Sequence, residues 1–163
     1  MNIIIKNHQL LYKGYKIKCS IGKRGTTFSK KEGDLSTPKG FFKLGLLYYR
    51  KGRIKLGKCK IKKKVIKKNM GWCDDVRSNK YNKEVLLPFK YSAEKLYIKK
   101  KIYDVFINIK YNCYPVEKGK GSAIFLHLTN KKYKGTKGCV AIQKKNFLKI
   151  LPKIDYKTRI LIK

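Results

Sequence analysis

Two stretches constrain this chain more than any other feature: IYDVFINIKYN from Ile102 and SAIFLHL from Ser122. A strand with one wet side alternates apolar and polar residues, whereas these carry β-branched and aromatic residues on both faces, so both read as central strands of a sheet. Alternation itself appears in YKIKCSI, where Tyr15, Ile17, Cys19 and Ile21 face one way and Lys16, Lys18 and Ser20 the other, as in a half-buried strand. IIIK before it and the turn at Lys13-Gly14 predict a β-hairpin. GFFKLGLLYYR follows the turn signal Thr37-Pro38-Lys39-Gly40 as another strand, RIKLGKCKI and EVLLPF carry thinner strand patterns, and TRILIK closes the chain as a strand.

Helical signals are few. SAEKLYIKK reads as a helix with Ser92 as N-cap, and KKNFLKIL from Lys144 puts Phe147, Leu148 and Leu151 on one face before Pro152 ends the run. No repeat, Gly/Ser linker or low-complexity block divides the 163 residues, a length that suits one domain with a real core. The expectation is a mainly β, β-sandwich-like single domain over residues 1–163, with one or two short helices.

A net charge of +34 raises the question of nucleic acid, because clustered Lys and Arg release counterions from a phosphate backbone. Here the lysines run from Lys6 to Lys163, dense only in KIKKKVIKK at Lys60 to Lys68, and they far outnumber arginines. Bidentate phosphate or guanine contacts favour Arg, and neither a recognition-helix pattern nor an aromatic RNA-binding motif is present. With abundant Ile, Tyr and Asn, the lysines read as the drift of an AT-rich genome. They leave a basic surface suited to an anionic polymer, with no specific nucleic-acid partner expected. Nothing approaches a membrane span, and the N-terminal MNIIIKNHQLLYKGYKIKCSIG lacks the basic start, long apolar core and small-residue cleavage site of a secretory signal.

Five cysteines, Cys19, Cys59, Cys73, Cys113 and Cys139, stand far apart without a C-x-x-C, and only His8 and His127 would complete a nitrogen and sulfur shell. No metal site is expected, and the odd count leaves a free thiol in either redox compartment. His8 falls in a hairpin turn and is expected to be exposed and inert.

The chemistry gathers in HLTNKKYKGTKGCVAI, His127 to Ile142. Cysteine attack on a carbonyl needs a nucleophile, a base, a group orienting that base, and donors for the oxyanion. A strand carrying His127, a nine-residue loop and a returning Cys139 brings imidazole and thiol together, with a backbone carbonyl, that of Leu128 or a neighbour, as the orienter. Gly135 and Gly138 permit a tight loop, the amides of Gly138 and Cys139 can point at an oxyanion, and Lys137 adds positive charge beside the thiol. Taken singly, Cys139 equally suits a buried small hydrophobe and His127 a satisfied core histidine.

Thr136-Lys137-Gly138-Cys139-Val140, with His127 upstream, resembles the [Ser/Thr]-His-Gly-Cys signature of L,D-transpeptidase (YkuD-type) catalytic domains, and STPKGFF at Ser36 resembles their Thr-Pro-x-Gly-x-Phe segment. The likeness extends to a proteobacterial branch through GWCDD at Gly71, the Tyr-Asn pairs at Tyr81 and Tyr111, Tyr103-Asp104 and GSAIFLH at Gly121, covering nearly the whole chain. It departs from the family where Lys137 replaces the usual histidine and where the His127 to Cys139 spacing is short.

The resemblance implies a cell-envelope enzyme without metal or organic cofactor, its partners peptidoglycan stem peptides. Cys139 would attack the carbonyl joining the third-position diamino acid to D-alanine, with His127 as base and Thr136, Lys137 and Gly138 shaping the loop. The resulting thioester passes to an amine of another stem or to water, and both outcomes stay open; no oligomeric state is predicted. Tyr103 and Asn112 become candidate substrate-binding residues. Trp72 reads either as a pocket wall or as a core aromatic whose N–H finds a partner. Asp74 and Asp75 read either as receivers of the acceptor ammonium or as turn caps. A non-catalytic wall-binding relative and, behind it, a basic nucleic-acid-binding domain are the competing readings.

Overall fold

The computed structural model describes residues 1–130 and 132–163, and among them fourteen strands and one α-helix carry the chain. In order these are β1 (Ile3–Lys6), β2 (Gln9–Tyr12), β3 (Tyr15–Lys18), β4 (Thr26–Thr27), β5 (Thr37–Pro38), β6 (Gly40–Tyr49), β7 (Lys63–Val65), β8 (Met70–Cys73), β9 (Glu84–Leu86), β10 (Ala93–Lys95), β11 (Val105–Ile109), β12 (Phe125–Thr129), β13 (Val140–Gln143), α1 (Lys144–Ile150) and β14 (Arg159–Ile162). The hairpin of β2 and β3 turns at Lys13 and Gly14, both at positive φ, as a two-residue turn with the twist of its strands requires.

The main sheet runs β13-β12-β11-β6-β14-β1-β2-β3, with β7 beside β6. Pairing is parallel for β12 with β13, β1 with β14 and β6 with β7, and antiparallel elsewhere in that sheet. Its two edges meet: Ser20 N–H donates to Ala141 O at 2.8 Å and Ala141 N–H donates to Ser20 O at 2.9 Å. The sheet therefore curls until its two sides touch at this isolated bridge, a partial form of the closure barrels use. Ile3, Leu10, Leu47, Ile107, Leu126 and Val140 fill the inside, where Phe147 and Ile150 of α1 are added.

A second cluster covers the outer face of β6, β11 and β12. Tyr48, Trp72, Phe106, Phe125 and Cys139 lie there, beneath the small sheet β10-β8-β9. Phe106 stacks on Tyr48 with centroids 4.7 Å apart, and Trp72 meets Phe125 edge-on at 5.1 Å. This second layer accounts for the two stretches that are apolar on both faces: Leu126 and Leu128 enter the inner core, while Phe125 enters the outer one. Each large side chain so buried contributes roughly 1.5–3 kcal/mol.

Two sequence expectations fail. SAEKLYIKK forms no helix; its Ala93–Lys95 is β10, paired with β8 so that Glu94 lies opposite Trp72. Its apolar spacing fits a helix, but β8 offers an open edge, and Leu96 buries completely as its N–H donates to Met70 O at 3.0 Å. RIKLGKCKI forms no strand, because Ile54 and Ile61 anchor it to the core as a loop and the strand of this region is β7. KKNFLKIL is helical to Ile150 and then tightens into a 3-10 turn over Leu151–Lys153.

Candidate functional site

His127 lies on β12 opposite Ala141 of β13, and Leu126 lies opposite Val140. That register sets Cys139, at the entry to β13, level with Phe125. Side chains two apart share a face, so Phe125, His127 and Cys139 point to the same side of adjacent parallel strands. Phe125 N–H donates to Cys139 Sγ at 3.3 Å, and the thiol donates to Ala123 O at 3.1 Å. His127 Nδ1 is 2.8 Å from Leu128 O. A carbonyl only accepts, so Nδ1 carries the hydrogen and Nε2 keeps its lone pair. Tyr103 lies edge-on to the imidazole, centroids 5.4 Å apart.

The loop before the thiol is held by one hydroxyl. Thr136 Oγ1 donates to Cys139 O at 2.6 Å and accepts from Gly138 N–H at 3.1 Å, while Thr136 N–H donates to Ile21 O. Gly138 sits at φ +142°, where a Cβ would come within 2.9 Å of Ser36 O, so only glycine fits.

Burial pushes the Cys139 thiol up to about 12, helped by the charge of Glu94 and opposed by the Phe125 N–H and by Lys30. Burial holds His127 down at about 4 against the pull of the Leu128 carbonyl. At neutral pH the pair is therefore thiol and neutral imidazole, a nucleophile awaiting its base rather than a standing ion pair. Burial alone lifts Cys19 equally, to about 12, so the register beside His127, and not ionisation, singles out Cys139.

The family model described as YkuD, L,D-transpeptidase catalytic domain, matches residues 2–162. The chain belongs to the L,D-transpeptidase catalytic domain family. No curated protein matches the sequence. The structure of Bdellovibrio bacteriovorus Bd1075 aligns with 99% of this chain at 17% identity and a TM-score of 0.50. An L,D-transpeptidase from Mycobacterium smegmatis aligns with 99% of it at 12% identity and a TM-score of 0.46. The chain covers 47% of the first protein and 58% of the second, about half the length of the structures it matches.

In this L,D-transpeptidase domain the remaining candidates take distinct places. Trp72 is buried in the outer core and its indole N–H donates to Asn82 Oδ1 at 3.0 Å. Asp75 caps a turn: its carboxylate accepts from Arg77 N–H at 3.0 Å, from the Arg77 guanidinium at 2.9 and 2.7 Å, and from Ser92 N–H at 3.3 Å. Asp74 is different, with Oδ1 buried and without a partner among the described residues. Asn112 braces the loop to Gly121, donating to Glu117 O and Gly121 O and accepting from Glu117 N–H, which leaves its side chain little to offer a substrate. Tyr103 is buried beside His127 and donates to Glu94 Oε1 at 2.6 Å. Lys137 is exposed and its charge lowers the carboxyl of Glu94, while the buried Lys30 lowers the Cys139 thiol.

Two residues near the thiol escaped sequence reasoning. Glu94 points toward the main sheet because its partner across the ladder, Trp72, does so. Burial raises its carboxyl above the usual range, with the Tyr103 bond opposing. It is one of only nine acids, yet a helix drawn from Ser92 hides which way it faces. Lys30 lies in KKEGD just ahead of STPKG, a Lys and an Asp four apart, lost among 43 basic residues. Among the described residues no group of three or more His, Cys, Asp or Glu could hold a metal ion.

Proposed function

We propose that the domain is a cysteine L,D-transpeptidase of the cell envelope, of the proteobacterial type its motifs resemble, acting on peptidoglycan stem tetrapeptides. The observation that carries the reading is the register of β12 and β13, which sets Cys139 and a Leu128-anchored His127 on one face. His127 Nε2 takes the thiol proton as sulfur attacks the carbonyl between the third-position diamino acid and D-alanine. The tetrahedral oxyanion is met by the Cys139 N–H, since Gly138 N–H is already given to Thr136 Oγ1. His127 returns its proton to the departing D-alanine amine and leaves a thioester on Cys139. An amine of a second stem then yields a 3→3 cross-link, or water yields a tripeptide. In both cases the imidazole takes a proton from the attacking group and gives it back to sulfur.

The burial of Cys139, 8% exposed with its thiol bonded to Ala123 O, favours the second reading, a wall-binding relative that does no chemistry. Mass spectrometry after incubation with disaccharide tetrapeptide separates the two. An acyl adduct on Cys139 with dimer or tripeptide product is expected, and Cys139→Ala should form neither while still folding. Wild-type protein that binds tetrapeptide without an adduct, or full turnover in Cys139→Ala, would sink the transpeptidase reading.

A further inference from the structure

Among the described residues Lys30 is the one buried lysine, its side chain 3% exposed. An ammonium withdrawn this far from water needs partners. Nζ donates to Asp34 Oδ1 at 2.6 Å and to Lys31 O at 2.7 Å, and the same carboxylate accepts from Lys31 N–H at 2.8 Å and Ser36 N–H at 2.9 Å. The KKEGD turn is thus built around the ammonium. Its next acid, Glu32, accepts from Tyr81 OH, whose oxygen accepts from Gly121 N–H at 3.0 Å.

These bonds alone describe a tie that folds a loop; its location adds a second observation. A Cβ on Gly121 would lie 2.9 Å from Lys30 Cγ and 3.4 Å from Nζ, and a Cβ on Gly138 would lie 3.7 Å from Cε. Gly138 precedes Cys139, and Gly121 leads into the segment whose Ala123 carbonyl accepts the thiol proton. The lysine is therefore wedged between the two segments that hold the sulfur. At Gly121 the missing Cβ leaves the room that its stem occupies, while at Gly138 the stem passes at ordinary contact distance.

We propose that Lys30 is the cation that stabilises the Cys139 thiolate as it forms, a role the exposed Lys137 does not fill. When the thiol proton passes to His127 Nε2, negative charge appears on sulfur within the field of the fixed ammonium, which keeps its three protons and gives two of them to Asp34 and Lys31. The other charged or titratable groups around the thiol are Glu94 of β10, Tyr103 of the 3-10 turn before β11, and His127 of β12. Glu94 and burial oppose thiolate formation, and Lys30 joins the Phe125 N–H in offsetting part of that opposition.

The proposal rests on Cys139 being the nucleophile of the function above. Its test is the rate of iodoacetamide alkylation at Cys139, read by mass spectrometry of that peptide in the full chain at fixed pH, which needs no peptidoglycan. Lys30→Met should slow alkylation, by about tenfold at most, because less of the thiol ionises once the cation is gone. Lys30→Arg should stay near wild type, and Asp34→Asn, which lifts a compensating negative charge, should speed it. A merely structural tie predicts the reverse for Lys30→Met, since a loosened loop exposes the sulfur and speeds alkylation. Faster or unchanged alkylation in Lys30→Met overturns the proposal. Should that variant not fold, Lys30→Gln replaces it, and faster or unchanged alkylation in Lys30→Gln overturns the proposal in the same way. A missing acyl adduct with tetrapeptide, by contrast, defeats the transpeptidase reading and leaves the alkylation result standing.

Discussion

Leu128 O, 2.8 Å from His127 Nδ1, leaves the imidazole one lone pair to offer, on Nε2. Removing that base with His127→Ala should lower the rate of Cys139 acylation by about 10²–10⁴-fold, measured in single turnover with tetrapeptide. Lys137→Ala, at an exposed position whose charge reaches Glu94, should leave the alkylation profile of Cys139 close to wild type. His127 also makes stability depend on pH. Unfolded, it takes a proton near 6.5; folded, it does so only near 4. Between those values the unfolded chain binds more protons, so stability falls as pH drops from 6.5 toward 4 and this contribution is level outside that window. The full difference amounts to about 3 kcal/mol, and urea titrations of His127→Gln should show a flatter slope there.

At the scale of elements, the turn entering β13 does what no single side chain does. Its geometry depends on Gly138 at φ +142° against Ser36 O and on the two bonds of Thr136 Oγ1. Gly138→Ala should cost about 1–3 kcal/mol and, by shifting the sulfur from Phe125 N–H, should reduce acylation more than binding. A variant with unchanged acylation kinetics would show that the turn tolerates a Cβ. Strand β10 matters in a similar way, since it carries Glu94 to Tyr103. Tyr103→Phe removes the donor, leaving the raised carboxyl of Glu94 without the bond that opposes burial.

For the molecule as a whole, the outer aromatic layer ties the small sheet to the large one. Phe106 is fully buried between Tyr48 and Phe125, at 4.7 and 4.5 Å, so Phe106→Ala should cost about 3–5 kcal/mol in chemical denaturation. The net charge of +34 is spread over the chain, so attraction to DNA should be weak, without sequence preference, and should collapse with added salt. A tight complex with one oligonucleotide, surviving high salt, would contradict the reading of the lysines as a diffuse basic surface.

Patterning with period two placed β3, and the apolar run from Ser122 placed β12, because burial on one face or on both is written into the order of side chains along a strand. The glycines of GTKGCV marked the tight turn, and the resemblance carried by this segment pointed to the family that matches residues 2–162. The sequence alone could not say that Ser92 to Lys100 would leave helical spacing for a strand, because the deciding partner is an edge of β8 some twenty residues away. It could not weigh Lys30 above the other lysines or Glu94 above Asp75, since charge along a chain carries no depth. Burial, cross-strand register and the space above two glycines supply that depth, and they exist only once the sheet has curled and brought residues from opposite ends of the chain around one sulfur atom.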